Sequence, residues 1–563
     1  VRPRGPALAL ALLAAAACGK KERDRKEGGG AAPPAADAAP VDDGRLRLVV
    51  VVVIDQLPSW SFDPMREHLT GGLGRLLREG TYFVDGQLPY GNTFTASGHA
   101  AIATGAPPAV TGIVANDWHR PGDPGPRGSA EDPDSPLLGP NPSVAQEHGR
   151  SSKWLQVEGV ADVLERETGG RAHTVALSLK DRSAILVLGK RPDLALWWDP
   201  YQTAMITSRF YAERVPAWAT VMRGERTLAA CLLEETWTPN DPALLARLSA
   251  CGDDQAGEGG NDEFGRTFPH ELPRVPQPAK ALLNTPFGTE LLLETAAAAI
   301  DGEKLGQDGV TDLLGVSISS HDYAGHGWGQ ESWERYDVLL DIDRRLGGFL
   351  DTLDQKVGRG RWAVLLTSDH GALPLVERQL KAGVKVYRLS KLDVATALDK
   401  AARRAIGARG PWVRGLTGNM VHTSAAFTAL PEAKKKKGMA AMIAAAKKIP
   451  GIGFAVETGE LVGDCSRHQD EHRQRACRSI PPDMVDNIYV QPVAGSQYAG
   501  DHPWGAGHGC DSPQERTVPI LVLAPGRTAR RVETPVSLLQ VAPTVSALLS
   551  IPPPPAATEP PLP

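Results

Sequence analysis

Gly91-Asn-Thr-Phe-Thr-Ala-Ser-Gly-His-Ala-Ala-Ile-Ala-Thr-Gly105 sets three hydroxyl residues, Thr93, Thr95 and Ser97, ahead of the small apolar run 100–103. A hydroxyl at the mouth of a helix sits among unpaired backbone N–H groups at the positive end of the dipole, a place suited to phosphate. An ordinary N-cap has the same composition. The reading therefore turns on whether the rest of the chain supplies groups that activate a hydroxyl.

The apolar runs supply them. Residues 45–54 are a nearly unbroken Val/Leu/Ile segment, the pattern of a strand buried on both faces, with Asp55 at its carboxyl end. Runs 312–319, 362–367 and 172–179 repeat the pattern. They lead into Ser320-His321-Asp322-Tyr323-Ala324-Gly325-His326-Gly327, Ser368-Asp369-His370-Gly371 and Lys180-Asp181-Arg182. Open α/β sheets bind ligands outside the carboxyl ends of their strands, so four strand ends point at one crevice. The fold class is α/β, with a central, mostly parallel sheet flanked by helices on both faces and loop-rich insertions.

One Asp-His pair is usually a turn, and Asp-x-x-x-His is usually two polar residues on a helical face. Three such clusters directly after buried strands call for another explanation. Asp and neutral His suit zinc, and two adjacent metals clamp an in-line phosphoryl displacement. Ala506-Gly507-His508-Gly509, on a glycine-rich loop before the apolar run 518–523, adds a further ligand. Three Asp, three His and a hydroxyl make a two-metal hydrolase.

With these residues in place the chain resembles the alkaline phosphatase superfamily, most of all its periplasmic phosphate-insensitive branch, related to type I phosphodiesterases and nucleotide pyrophosphatases. The matching stretches are VVVVIDQ at 50–56, TFTASGHAAIATG at 93–105, GIVANDW at 112–118 and SLKDRSAI at 178–185. NTPFG at 284–288, SSHDYAGHGWG at 319–329, TSDHGA at 367–372 and AGHG at 506–509 follow in family order. The resemblance implies Thr95 as nucleophile; the family usually carries Pro where this chain has Ser97, which leaves Ser97 as a minor rival. It further implies that Asp322, His326 and His508 hold one zinc, and that Asp55, Asp369, His370 and Thr95 hold the other. Asn116, Lys180 and Arg182 match the groups that bind the transferred phosphoryl oxygens.

The reaction expected is hydrolysis of small phosphate monoesters through a phosphothreonine. Lys180 and Arg182 are two apart after a strand, so an extended segment would project both to one face. There Arg182 can fork two oxygens of a dianion while Lys180 adds a point charge. A phosphodiesterase or nucleotide pyrophosphatase would share every metal ligand and is the alternative. A ligand-binding lipoprotein without activity would be favoured by a missing metal ligand, and none is missing. Sulfatases of the superfamily use a Cys/Ser-x-Pro-x-Arg setting that this chain lacks.

The chain has 563 residues, 42% hydrophobic and 23% charged, enough for one large domain with insertions. A net charge of −5 and a pI near 6.3 give no sign of nucleic-acid binding. Residues 1–18 read as a lipoprotein-type signal: Arg2 and Arg4, an apolar run 7–17 too short to span a bilayer, then Cys18. An ordinary cleaved export signal is the alternative. Residues 19–44 read as a disordered tether. The catalytic domain spans 45–550, with insertions at about 190–280 and 375–500, and 551–563 is a proline-rich tail. The expected protein is a monomeric periplasmic or cell-surface lipoprotein that meets the membrane only through an anchor at Cys18.

Finer expectations follow. Residues 71–80 and 154–167 are helical, 81–84 and 193–198 are strands, and 206–218 resembles the cap at the substrate mouth. The periodicity of 334–353 predicts a core helix with charges on its outer face and no site. The lysine run 434–437 reads as a solvated first helical turn. His468 and His472 are weak as a third metal site. Export favours disulfides: nearness in sequence suggests Cys231–Cys251 and Cys465–Cys477, leaving Cys510 as a thiol near His508. Five cysteines admit other pairings.

Overall fold

Seven buried residues, Leu48–Ile54, form the central strand β1. Its pleat sends Leu48, Val50, Val52 and Ile54 into one hydrophobic core and Val49, Val51 and Val53 into another. A strand buried on both faces needs apolar residues at every position, which is why its sequence is a run rather than an alternation. The computed structural model describes residues 44–120, 125–141, 149–249, 252–260, 264–499 and 503–563.

The other strands are β2 (Thr81–Gln87), β3 (Thr174–Ser178), β4 (Leu194–Asp199), β5 (Ala204–Ser208), β6 (Asp312–Ile318) and β7 (Trp362–Thr367). They are followed by β8 (Val413–Thr417), β9 (Met420–Thr423), β10 (Ile452–Glu457), β11 (Ile488–Pro492), β12 (Thr517–Leu523) and β13 (Arg530–Val532). The main sheet runs β13-β2-β12-β7-β1-β6-β3-β4-β5 and ends on Leu137–Leu138, with Val536–Ser537 beside β2. From β7 to β4 every pairing is parallel. β12 and β5 run against their neighbours, so the parallel core has antiparallel margins. Ile54 lies opposite Ile318, Val53 opposite Thr367 and Ser317 opposite Ser178. This register brings Asp55 and the segments after β7, β6 and β3 to one level.

The helices are α1 (Gly72–Glu79), α2 (Thr95–Thr104), α3 (Val160–Thr168), α4 (Asp181–Leu186), α5 (Pro286–Gly302), α6 (Ser320–Trp328) and α7 (Trp333–Leu353). Then come α8 (Lys391–Ile406), α9 (Glu432–Ala446), α10 (Glu471–Ser479) and α11 (Val541–Leu549). α1, α5 and α7 cover one face of the sheet, and α2, α3, α4 and α11 the other.

Four expectations need correction. α3 starts at Val160, so 154–159 is not helical. β4 and β5 belong to the main sheet, so the insertion foreseen from about 190 begins later. Residues 212–218 line a groove of about 790 Å³ with Thr174 and Leu194, at the amino ends of β3 and β4. That end is opposite the carboxyl ends that lead into Asp55, Lys180, Asp322 and Asp369. Most charges of α7 are not on an outer face: Glu334, Arg335, Asp337, Asp341 and Asp343 are buried, while Arg344 and Asp351 are exposed. Asp343 accepts from Thr70, Gly71 and Gly74 N–H and so anchors α1.

Residues 391–492 build their own core around Leu398, Phe427, Met442, Ile488 and Val490. There β8, β9, β11 and β10 form an antiparallel sheet beside α8 and α9. The lysine run lies in the first turns of α9, with Lys435 paired to Glu432. The tail after Ile551 is irregular, yet Leu562 is buried and its N–H donates to Thr544. No described helix is long and apolar enough to cross a membrane.

Candidate active site

Thr95 is the first residue of α2, with Phe94 as its extended N-cap, and it is 1% exposed. The helix can reach the strand ends because Gly98 has no side chain: a Cβ there would overlap the Asp369 carbonyl oxygen. Ser97 has a structural task. Its Oγ accepts from Phe94 N–H and donates to the Asn92 carbonyl, which closes the turn before the helix. Thr95 Oγ1 lies 3.5 Å from His370 Nε2.

Two groups of donor atoms lie within 4.8 Å of one another: Asp55, Asp369 and His370, and Asp322, His370 and His508. His326 stands one helical turn beyond Asp322, its Nε2 3.2 Å from Asp322 Oδ1, and its ring is 5.0 Å from that of His508. His370 and His508 stack at 3.7 Å. His370 therefore lies between the two sets, and His326 flanks the second.

Three imidazoles are fixed in the same sense. The Nδ1 atoms of His326, His370 and His508 face the carbonyls of Ala506 (2.9 Å), Gly371 (2.9 Å) and Thr93 (2.7 Å). Burial opposes protonation of His326, but Asp322 outweighs it and raises the pKa; in all three rings a carbonyl only accepts, so Nδ1 carries a proton and Nε2 is the atom left for a metal. This is the tautomer a metal takes. Asp55 Oδ1 and Asp369 Oδ2 are buried without a hydrogen-bond partner among the described residues. A buried bare carboxylate oxygen is costly unless a cation faces it. The donor set of carboxylates and neutral imidazoles fits divalent metal ions.

The electrostatics agree. Burial, then Asp322 and Asp369, pushes Asp55 well above the usual carboxylate range. Burial also opposes ionisation of Asp322, but His326 and Lys180 outweigh it and hold the group well below that range. Burial, then His370 and His326, keeps His508 far below the usual imidazole value, hence neutral. Lys180 Nζ meets Asp55 Oδ2 at 2.6 Å and Asp322 Oδ2 at 2.5 Å, so an internal ammonium bridges the two donor sets.

Asn116 Oδ1 accepts from the N–H of Ala96, next to Thr95, at 3.0 Å, which fixes the amide beside the nucleophile. β3 ends at Ser178, Lys180 caps α4 and Arg182 lies in its first turn. The segment is therefore not extended, and a helix start rather than a pleat presents the two cations. The side chain of Arg182 is 27% exposed, and its Nε has no hydrogen-bond partner among the described residues.

Several supporting residues escaped the sequence reading. Gln56, left-handed at φ 64°, donates from Nε2 to Asp322 Oδ1 at 2.7 Å and from its backbone to Asp369. His99, one turn after Thr95, lies between the Thr95 carbonyl, Asp369 Oδ2 and Ser317 Oγ. Its i+4 spacing from the hydroxyl was the available signal. Tyr489, Gln491 and Asn419 of the inserted sheet hold Gly91 and Asn92, and Asn419 also reaches the Gly509 carbonyl.

Cys465 and Cys477 form a disulfide, Cys251 lies outside the described residues, and Cys510 is a buried thiol. His472 bonds Asp511, and His468 reaches the Leu461 carbonyl. Neither belongs to a group of convergent metal donors among the described residues.

Known proteins share this architecture. The type I phosphodiesterase/nucleotide pyrophosphatase family profile matches residues 49–477. The alkaline phosphatase PhoV of Synechococcus elongatus is 30% identical over 526 residues, 90% of each chain. The alkaline phosphatase PafA of Elizabethkingia meningoseptica is 33% identical over 333 residues, 58% of this chain and 60% of that one. The crystal structure of wild-type PafA superposes with a TM-score of 0.82 at 28% identity, covering 93% of this chain and 99% of that one. A PafA variant with one threonine, one asparagine, one lysine and one arginine substituted gives 0.83.

Proposed function

The chain belongs to the type I phosphodiesterase/nucleotide pyrophosphatase family, within the alkaline phosphatase superfamily, and on that premise we propose an exported two-zinc phosphomonoesterase acting through Thr95. The enzyme is an alkaline phosphatase-type phosphoric monoester hydrolase that depends on metal.

The observation that carries the reading is the common orientation of His326, His370 and His508, each with Nδ1 on a carbonyl and Nε2 turned toward the carboxylates of Asp55, Asp322 and Asp369. Asp55, Asp369 and His370, with Thr95, would hold one zinc, and Asp322, His326 and His508 would hold the other. Bound there, the two ions supply Lewis acidity, lowering the pKa of an attacking hydroxyl and steadying a leaving oxygen.

Thr95 Oγ1 attacks phosphorus as the bond to the ester oxygen breaks, and the phosphoryl group rests on Thr95 until water releases it as phosphate. The start of α2 turns the positive end of its dipole toward the transferred oxygens, its Ala96 N–H being given to Asn116. Asn116, with its carbonyl oxygen held by Ala96, turns its amide protons toward them. Lys180 leaves its carboxylates for the substrate dianion, and Arg182 forks two oxygens. The four residue types replaced in the PafA variant occur in the same order as Thr95, Asn116, Lys180 and Arg182.

A single set of measurements tests this. Active protein should contain two zinc ions per chain, Thr95→Ala should be inactive, and kcat/KM should favour an aryl monoester over its methyl diester. One ion or none in active protein, or full activity in Thr95→Ala, contradicts the mechanism. A faster diester reaction moves the assignment to phosphodiesterase.

A further inference from the structure

A second group of acidic side chains stands apart from the catalytic donors, at the amino end of α7. Asp253 Oδ2 accepts from Phe268 N–H at 3.1 Å, and Glu258 Oε2 from Gln255 N–H at 2.9 Å. Glu334 Oε1 accepts from His270 Nε2–H at 3.0 Å. Each carboxylate thus has one oxygen held. The other three, Asp253 Oδ1, Glu258 Oε1 and Glu334 Oε2, are buried with no partner among the described residues, as is His270 Nδ1. Glu258 is 4% exposed, Glu334 fully buried and His270 1% exposed.

No lysine or arginine pairs with these three carboxylates among the described residues. The guanidinium of Arg266 is engaged by Asp254 and the Gln255 carbonyl, and that of Arg378 by Glu331. Burial, with Asp253 and Asp254 adding to it and the Gln255 N–H and the Arg266 charge opposing it, pushes Glu258 up to about 8. Burial, then Glu258, Asp253 and Asp337, holds Glu334 well above the carboxylate range. Buried oxygens that repel one another and lack donors are a strained arrangement for a protein alone.

We propose that Asp253, Glu258 and Glu334 form a third divalent-cation site, of the calcium class, separate from the catalytic pair. Carboxylate oxygens on a loop containing Gly257, Gly259 and Gly260 suit a hard ion that takes six to eight oxygens in flexible geometry. The cluster is more open than the catalytic groups, whose donors lie within 4.8 Å of one another. Water and backbone carbonyls would complete the shell.

The ion would brace the active site without touching substrate. Gly259 and Gly260 N–H donate to the Gly327 carbonyl at 3.1 and 3.2 Å, next to His326. Gly505 N–H donates to the Gly257 carbonyl at 2.7 Å, three residues before His508. The three carboxylates are positioning residues for two histidines.

Zinc-saturated protein equilibrated with calcium and then desalted should retain one calcium per chain. Trp237 and Trp328 lie 5.1 and 5.0 Å from His270, ring to ring. Terbium held there should luminesce on tryptophan excitation and be displaced by calcium. Glu258→Gln should weaken calcium and terbium binding at least tenfold while zinc content stays at the wild-type level. Wild-type protein that retains no calcium and gives no terbium signal overturns the proposal, as does Glu258→Gln with wild-type calcium affinity. If that variant does not fold, the wild-type calcium count and terbium signal decide. Zinc is counted in the same samples, so an error in the catalytic assignment is told apart from an error here.

Discussion

In the proposed mechanism Lys180 and Arg182 divide the work of binding a dianion unequally. Lys180 is buried and bridges Asp55 and Asp322, whereas Arg182 is partly exposed with a bare Nε. A monoester presents three non-bridging oxygens whose charge is spread in a loose transition state, and fixed cations beside it act mainly there. Lys180→Ala and Arg182→Ala should each lower monoester kcat/KM by about 2–4 kcal/mol, the scale of one oxyanion donor. Methyl diester hydrolysis, with one charge fewer to meet, should fall much less. Arg182→Lys should recover only part of the loss, because an ammonium cannot fork. Equal losses on the two esters would mean that these cations do not select the monoester. Both residues were visible in the sequence as Lys-Asp-Arg after a buried run. The geometry that presents them was not, because strand and helix meet between Ser178 and Asp181.

Helix α10 clamps the two loops that carry the reacting groups. Ser479 Oγ and the Arg475 carbonyl accept from Gly91 N–H, four residues before Thr95. Arg475 and His472 bond the carboxylate of Asp511, three residues after His508. The Cys465–Cys477 disulfide, closing a separation of 12 residues, ties α10 to the turn before it. Loop-closure entropy gives such a link about 3 kcal/mol. The Cys465→Ser/Cys477→Ser double variant should lose that much in urea unfolding, with a larger fall in kcat than a distant surface variant of equal stability. An unchanged urea midpoint would refute the brace. Elements like β1, β6 and β7 were legible because burial on two faces writes itself into consecutive residues. Gln56, Tyr489, Gln491 and Asn419 were not, since their roles depend on partners 266 to 400 positions away. The buried charges of α7 were misread for the same reason: periodicity locates a face but not the cap or imidazole it meets.

The whole molecule separates its two ends. The carboxyl ends of β1, β3, β6 and β7 carry the reacting groups. The amino ends of β3 and β4 open onto the groove beside residues 212–218. With a net charge of −5, any attraction for phosphate must be local, and the proposed mechanism assigns it to Lys180, Arg182, the start of α2 and bound metal. The carboxyl-end crevice was readable in advance, from Asp55, Lys180, Asp322 and Asp369 directly after buried runs; the place of residues 212–218 at the other end was not. The boundary near 190 was not, because β4 and β5 continue the sheet without a change of composition. Arg2, Arg4, the apolar run and Ala15-Ala16-Ala17-Cys18 motivate the proposal that the whole protein is anchored at Cys18, which lies outside the described residues. Labelled palmitate should enter the wild type and not Cys18→Ala. Incorporation into both, or neither, removes the anchor.

The link from His508 Nδ1 to the Thr93 carbonyl joins positions 415 apart. Synthesis runs from the amino end, so the ribosome delivers the threonine early and its imidazole partner almost last. On the proposed assignment a nascent polypeptide carries its nucleophile while part of the metal cage is still missing, and competence waits until translation has passed position 508.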